Sequence, residues 1–160
     1  MRVEEKFSEI MRKSNLTVAI AESCTGGYLC DRITDISGSS RYFLGGIIAY
    51  SNSAKIDFLG VSRKTLQHEG AVSGEVAQQM AEGVGQSFGS DIAISTTGIA
   101  GPTGGTEKKP VGLVFIGIHV KGRSIHVRKV WDGNRRQNKV QTVQEAISRT
   151  ISELESNIDI

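Results

Sequence analysis

Short, continuously apolar segments alternate with amphipathic ones along this chain, and no other feature constrains its fold as strongly. Residues 16–21, 43–50 and 91–97 are predicted strands, and the nearly continuous apolar character of residues 16–21 is typical of a sheet covered on both faces. Residues 111–120 and 125–131 flank a glycine-containing turn and predict a hairpin. Strands that first alternate with helices and then form a hairpin predict an α/β fold, a three-layer α/β/α sandwich with a mixed, mainly parallel sheet.

Helices are predicted where apolar residues recur every three or four positions, or where a short polar side chain can cap a first turn. The predicted helices are residues 2–14, residues 28 to about 36, a short segment after Ser51 and Asn52, a short segment from Ser62 to Gly70, a longer one from Ser73, and a last one from about Asn134. The whole chain, residues 1–160, is predicted to form a single domain.

The charge balance and the cysteines argue against several classes of function. Nineteen Lys and Arg against 17 Asp and Glu leave a net charge of +2, too small for the clustered basic face of a nucleic-acid-binding protein. Cys24 and Cys30 have neither metal-ligand nor redox-motif spacing, so reduced thiols, a cytoplasmic location and no metal site are expected. The charged N-terminus lacks an apolar signal core, and no segment is apolar for long enough to span a membrane.

Polar side chains follow each of three predicted strands. Ser23 and Thr25 come after the first strand, Tyr50 ends the second and Lys55 follows it, and Thr97 ends the third. Parallel strands end at the same edge of a sheet, and open α/β sheets bind small molecules at that edge. A sheet that is parallel at its centre would therefore bring these three loops together.

The third strand runs into a loop, residues 96–110, that is dense in glycine, hydroxyl groups and lysine. Its candidate ligand-binding residues are Gly98, Gly101, Gly104, Gly105 and Thr106. Glycine lets backbone N–H groups approach a ligand closely, but the spacing matches neither the dinucleotide-binding fingerprint nor the Walker A pattern. An anion-binding loop and a plain surface crossover both remain open.

A serine nucleophile needs a neighbouring base, and nothing in the sequence pattern pairs any of the three histidines with a hydroxyl or a carboxylate as a catalytic group. Lys55 can act as the base if burial makes its amine neutral, or it can be an ordinary solvated lysine. Arg135, near the start of the last helix, either holds a phosphate through its two-pronged guanidinium or belongs to a solvated helix terminus.

Together, these motifs resemble the CinA C-terminal domain family. The segments that carry the resemblance are residues 21–27, 38–40, 45–52 with Lys55, 70–73, 97–102, 104–106, 109–112 and Gly133 with Arg135. The resemblance extends over residues 3–155, nearly the whole chain. One departure is Asn134, which stands where many members have an acidic residue and leaves phosphate or dimer contacts there open.

The resemblance implies a nicotinamide-nucleotide amidase, which hydrolyses nicotinamide mononucleotide to nicotinate mononucleotide and ammonia in pyridine nucleotide salvage. It also implies a homo-oligomer with no metal or organic cofactor, and a small-molecule partner rather than nucleic acid or a membrane. The family's serine–lysine pair is placed here on Ser40 as nucleophile and Lys55 as base, with Tyr50 as a further catalytic residue and Ser23 as the next candidate nucleophile. The substrate-binding residues implied by the matching motifs are Ser23, Thr25, Thr97, Gly98, Gly101, Gly104, Gly105, Thr106 and Arg135.

Two alternatives remain open at this point. One is an amidase acting on a different carboxamide or a different pyridine nucleotide, because the shape of a pocket built from loops is not readable from sequence. The other is a non-catalytic binding module related to competence or recombination, which a glycine-rich recognition surface would suit.

Overall fold

The computed structural model describes residues 1–158, in which one five-stranded sheet carries helices on both faces. The strands are β1 (Val18–Glu22), β2 (Phe43–Ile48), β3 (Ile92–Gly98), β4 (Leu113–Val120) and β5 (Arg123–Val130). The helices are α1 (Val3–Ser14), α2 (Tyr28–Thr34), α3 (Asn52–Leu59), α4 (Arg63–Glu69), α5 (Gly74–Phe88) and α6 (Arg135–Asn157). No helix in the described residues has the length and apolar character needed to cross a lipid bilayer.

The strand order is β2-β1-β3-β4-β5. Strand β1 pairs in parallel with β2 and with β3, whereas β4 runs antiparallel to both of its neighbours. This topology confirms the predicted three-layer α/β/α sandwich and its mixed sheet. Strand β2 ends two residues earlier than predicted, because the carbonyl groups of Ala49 and Tyr50 turn toward the Lys55 side chain instead of continuing a ladder.

The apolar core lies in two layers, one on each face of the sheet. Helices α1, α2 and α6 cover Val18 and Ile20 of β1 on one face. Helices α3, α4 and α5 cover Ala19 and Ala21 on the other. Successive side chains of a strand point to opposite faces, so β1 is buried on both sides, as its unbroken apolar character predicts.

Short polar side chains begin the helices that lead into and out of the sheet. Ser51, Ser62, Ser73 and Asn134 each accept a hydrogen bond from a backbone N–H of the first turn of α3, α4, α5 and α6 respectively. Such caps satisfy donors that have no partner inside the helix. They fix where α3 and α6 begin, and these are the two helices that present Lys55 and Arg135.

Gly83 sets how closely α5 approaches the end of α3. A Cβ atom at position 83 would overlap the carbonyl oxygen of Leu59, a backbone atom that cannot yield easily. Although alanine is the better helix former, Gly83→Ala is expected to lower the free energy of unfolding by about 1–3 kcal/mol because it overpacks this contact. Gly85→Ala is the control, since its Cβ would meet side-chain atoms alone, the Ala93 methyl group at 3.0 Å and Ser90 Oγ at 3.7 Å. Urea unfolding of both variants measures the difference, and equal stability of Gly83→Ala and the wild type would contradict the close contact.

Candidate active site

Lys55 is buried in the first turn of α3, with 1% of the residue exposed. Its Nζ lies 2.9 Å from the Ala49 carbonyl oxygen, 3.0 Å from the Tyr50 carbonyl oxygen and 3.0 Å from Ser23 Oγ. Desolvation by burial lowers the pKa of Lys55 from its ordinary value, because a charged ammonium is costly to bury. A lysine whose amine is biased toward the neutral form can accept a proton from an adjacent hydroxyl.

Ser23 is the hydroxyl group in contact with that amine. It follows directly after β1, its N–H donates to the Thr96 carbonyl oxygen at 3.0 Å, and 7% of the residue is exposed. The hydrogen bond continues the β1–β3 pairing past Glu22, so the position of Ser23 is fixed by the sheet. Strand β1 thus delivers the serine, and the helix that follows β2 delivers the lysine.

A cleft of about 330 Å³ opens beside the Ser23–Lys55 pair. It lies where β1, β2 and β3 end, since Glu22 pairs with Ile48 on one side and with Thr96 on the other. The predicted convergence of three loops at one edge of the sheet is therefore observed. The lining residues, all in the described part of the chain, include Lys55 and Arg135 but no Asp or Glu, so the cleft suits a ligand that carries negative charge.

Arg135 forms one rim of this cleft. Its Nη1 donates to the Gly101 carbonyl oxygen at 2.8 Å, and its Nη2 lies 3.4 Å from the Tyr50 hydroxyl group. Tyr50, which is 62% exposed, therefore lies beside Arg135 at the same rim. The neighbouring Arg136 does not line the cleft and instead lies over the Tyr28 ring, 4.3 Å from its centroid. Arg135 is therefore the arginine available to a ligand in the cleft.

The glycine-rich loop contributes part of the wall. Gly98, Gly101 and Gly104 line the cleft, and Gly101 and Gly104 have φ values of +86° and +92°, which favour glycine. Thr97 also lines it, and its Oγ1 donates to the Ala71 carbonyl oxygen at 2.8 Å. The Thr97 hydroxyl group can still accept a hydrogen bond from a ligand.

The structure does not bring Ser40 to Lys55, which corrects the predicted placement of the serine–lysine pair. Ser40 is exposed in a 3-10 turn, Ser39–Arg41, that precedes β2. The start of β2 lies beside the start of β1, where the Val18 N–H donates to the Tyr42 carbonyl oxygen. Ser40 is thus at the edge of the sheet opposite the cleft, whereas Lys55 and Ser23 follow the ends of β2 and β1.

Three of the predicted substrate-binding residues also lie outside the cleft. Thr25 is fully buried, and its hydroxyl group contacts the Glu22 carboxyl and the Thr96 hydroxyl groups. Gly105 and Thr106 belong to an exposed turn, in which the Thr106 N–H donates to the Lys109 carbonyl oxygen. The remaining predicted residues, Ser23, Tyr50, Lys55, Thr97, Gly98, Gly101, Gly104 and Arg135, all line the cleft.

Several lining residues were not among the predicted binding residues: Cys24, Asn52, Ala71, Val72, Ile99, Ala100 and Thr103. Ala71 and Val72 come from the α4–α5 connection, and their sequence signal was the motif segment 70–73, which no residue-level argument had turned into a binding role. Burial, followed by the charge of Glu22, raises the pKa of the Cys24 thiol to about 12. Cys24 therefore stays protonated at neutral pH and is a poor nucleophile. Within the described residues, no three His, Cys, Asp or Glu side chains are grouped as metal ligands.

The sequence of this chain is similar to those of known proteins. A model of the CinA C-terminal domain matches residues 1–154. A CinA-like protein of Chlorobium phaeobacteroides is 50% identical over 150 residues, which cover 91% of this chain and 36% of that protein. A CinA-like protein of Kosmotoga olearia is 50% identical over 139 residues, which cover 87% of this chain and 33% of that protein. The chain thus spans about a third of the length of these relatives.

Solved structures show the same fold. The competence/damage inducible protein CihA from Agrobacterium tumefaciens is 39% identical, with a TM-score of 0.88 and 94% of each chain covered. A CinA superfamily protein from Klebsiella pneumoniae is 28% identical, with a TM-score of 0.93, and the alignment covers 98% of this chain and 99% of that chain.

Proposed function

Because this chain belongs to the CinA C-terminal domain family, we propose that it is a serine–lysine amidase acting on the carboxamide of nicotinamide mononucleotide. The products are nicotinate mononucleotide and ammonia. The observation that carries the proposal is the 3.0 Å contact between Ser23 Oγ and the buried Nζ of Lys55 in a cleft with Arg135 at its rim. Ser23 takes the role of nucleophile and Lys55 that of general base.

The surroundings of Lys55 suit a neutral amine. A neutral amine has two N–H donors and one lone pair, and the Ala49 and Tyr50 carbonyl oxygens accept both donors. The lone pair then faces Ser23 Oγ and accepts its proton. Burial favours the same form because it lowers the pKa of Lys55.

The reaction proceeds in two stages. Ser23 Oγ attacks the carboxamide carbon while its proton passes to Lys55 Nζ, which gives a tetrahedral oxyanion. The C–N bond then breaks, Lys55 returns the proton to the departing nitrogen, and ammonia leaves an acyl ester on Ser23. Water, deprotonated by Lys55, attacks the ester, and its breakdown releases the carboxylate product and restores the serine hydroxyl group.

The oxyanion needs hydrogen-bond donors already in position. The backbone N–H group of Cys24, a residue that lines the cleft, follows the nucleophile directly and does not donate to a backbone carbonyl group of the described residues. The Tyr50 hydroxyl group at the rim is a further donor. The turn after β1 therefore supplies both the nucleophile and a backbone donor beside it.

Arg135 is assigned to the substrate phosphate, and its replacement tests that assignment. Arg135→Leu is expected to lower kcat/KM for nicotinamide mononucleotide roughly 10- to 100-fold, because hydrogen bonds to charged groups are lost. The kcat/KM for nicotinamide riboside, which lacks the phosphate, is expected to change by less than about threefold. Steady-state kinetics with both substrates measure the difference. Arg136→Leu is the matched control, and equal losses for the two substrates in Arg135→Leu would contradict a phosphate contact.

The proposed reaction is tested by incubating the purified protein with nicotinamide mononucleotide and measuring ammonia and nicotinate mononucleotide. Equal amounts of the two products are expected. A parallel panel of other nicotinamide and carboxamide nucleotides shows whether the preferred substrate is a different member of the class. A folded protein that releases ammonia from none of them would overturn the amidase proposal and favour a non-catalytic binding role.

A further inference from the structure

We propose that Glu22, acting through Thr25 and Thr96, is a positioning residue that holds Ser23 at its distance from Lys55. This inference rests on the proposed function of the Ser23–Lys55 pair and assigns a role to buried groups that do not touch the cleft. Glu22 is the last residue of β1, immediately before Ser23, and it is fully buried. The carboxyl group therefore sits one residue away from the reacting hydroxyl group.

Three donors converge on the Glu22 carboxylate. Oε1 accepts from the Thr25 hydroxyl group at 2.5 Å and from the Leu29 N–H at 2.8 Å, and Oε2 accepts from the Cys30 N–H at 3.0 Å. Leu29 and Cys30 are in the first turn of α2, whose N-cap residue, Gly27, has no side chain to cap it. Glu22 reaches across from the sheet to supply the missing cap.

The charge of Glu22 is balanced by these donors rather than by a cation. None of the salt bridges among the described residues involves Glu22. A buried carboxylate is acceptable where backbone N–H groups at a helix start point at it. All three donors are satisfied only by a side chain that accepts hydrogen bonds at both of its terminal atoms. An ionised carboxylate accepts at both, whereas an amide accepts at its oxygen alone.

The acceptor-only carboxylate also fixes the direction of the hydrogen bonds that lead to β3. Because the Thr25 hydroxyl group donates to Glu22, its oxygen is free to accept from the Thr96 hydroxyl group, 2.6 Å away. The chain Thr96 to Thr25 to Glu22 thus ties the turn after β1 to the neighbouring strand. Ser23 lies inside this turn, and its own N–H donates to the Thr96 carbonyl oxygen.

Glu22 and Ser23 act on opposite faces of the sheet. Val18 and Ile20 share the face of α1, α2 and α6, and alternation along the strand puts Glu22 on that face, where it bonds to α2. Ala19 and Ala21 share the face of α3 and α5, and the same alternation puts Ser23 there, where it contacts Lys55 of α3. A rotation of the peptide between the two residues would loosen the Glu22 contacts and displace Ser23 together.

The test compares Glu22→Gln, Thr25→Val and Thr25→Ser with the wild type. Glutamine turns one acceptor into a donor that opposes a backbone N–H, and valine removes the hydroxyl group at nearly constant volume. Both changes are expected to lower kcat for nicotinamide mononucleotide roughly 10- to 100-fold, as misplacement of a reacting group does. KM is expected to stay within about twofold, because the cleft lining is unchanged. Thr25→Ser, which keeps the hydroxyl group, is expected to recover most of the lost kcat.

A second readout does not depend on the substrate. Covalent labelling of Ser23 by a fluorophosphonate, followed by mass spectrometry, measures the reactivity of the serine itself. The rate is expected to fall in Glu22→Gln and Thr25→Val by about the same factor as kcat. Glu9→Gln, on the exposed face of α1, is the matched control and is expected to keep the wild-type labelling rate. If the wild type labels at Ser23 but does not hydrolyse nicotinamide mononucleotide, the substrate proposal fails and the labelling rates alone decide the role of Glu22.

Several outcomes would overturn the positioning role. They are an unchanged kcat and labelling rate in folded Glu22→Gln, a loss that appears in KM instead of kcat, failure of Thr25→Ser to recover activity, and a wild-type Ser23 that does not label. Thermal unfolding is measured for every variant. If Glu22→Gln does not fold, the contrast between Thr25→Val and Thr25→Ser decides the question.

Discussion

Replacing Ser23 with alanine is expected to lower kcat for hydrolysis of nicotinamide mononucleotide by about 10⁴-fold or more, because the nucleophile of a covalent mechanism is removed. Ser40→Ala is expected to keep the wild-type rate, since Ser40 is exposed at the opposite edge of the sheet. The comparison is sharp because both changes remove a single hydroxyl group. Ammonia release under substrate saturation measures both variants.

The activities of folded Ser23→Ala and Ser40→Ala together decide which serine is the nucleophile. Ser23→Ala should unfold at nearly the wild-type temperature, because its backbone hydrogen bond to Thr96 does not use the side chain. Wild-type activity in folded Ser23→Ala would exclude Ser23 as nucleophile. Loss of activity in a folded Ser40→Ala variant would instead restore the placement that the motif resemblance implied.

Replacing Lys55 with methionine is expected to lower kcat by about 10³-fold, within the usual contribution of a general base. Methionine is unbranched and apolar, so it fills most of the buried space while removing the titrating group. The pH dependence of the wild type gives a separate signature. Its kcat/KM is expected to rise with pH as Lys55 loses its proton, with a midpoint below the ordinary lysine value of 10.5 because burial lowers the pKa.

The lowered pKa of Lys55 also predicts the direction in which the stability of the protein changes with pH. Between the folded-state pKa of Lys55 and 10.5, the unfolded chain holds more protons than the folded one. The contribution of Lys55 to stability therefore rises with pH across this window, and falls as the pH drops through the folded-state pKa. Lys55→Met should lose this contribution, whereas Lys13→Met, at an exposed position on α1, should keep it. Thermal unfolding across pH measures the effect, and identical profiles for wild type and Lys55→Met would contradict a buried, titrating lysine.

The placement of the serine was predictable in principle. Parallel strands carry their functional loops at their carboxyl ends, and Ser23 follows a predicted strand whereas Ser40 precedes one. That rule favours Ser23 without any structure. The motif resemblance pointed to Ser40 instead, whereas Lys55 Nζ contacts Ser23 Oγ, and the proposed nucleophile rests on that contact.

The directions of other side chains in the site could not be predicted from the local sequence. Helix α3 has only eight residues, too few for the pattern to show that Lys55 faces the core. Ser23 and Thr25 are both small hydroxyl residues in one turn, yet one lines the cleft and the other is buried against Glu22. Their directions depend on how the turn packs against α2 and β3.

The sequence by itself determined the layers of the fold, the positions of the helices and strands, the capped starts of α3 to α6, and the edge of the sheet where polar loops gather. These properties follow from apolar periodicity and from short-range hydrogen bonding, which neighbouring residues decide. Only the tertiary structure decided that Lys55 is buried, that Ser23 is its partner, and that Glu22 caps α2 from the sheet. Those contacts join residues from separate elements, and their geometry depends on strand register and on the packing of helices against both faces.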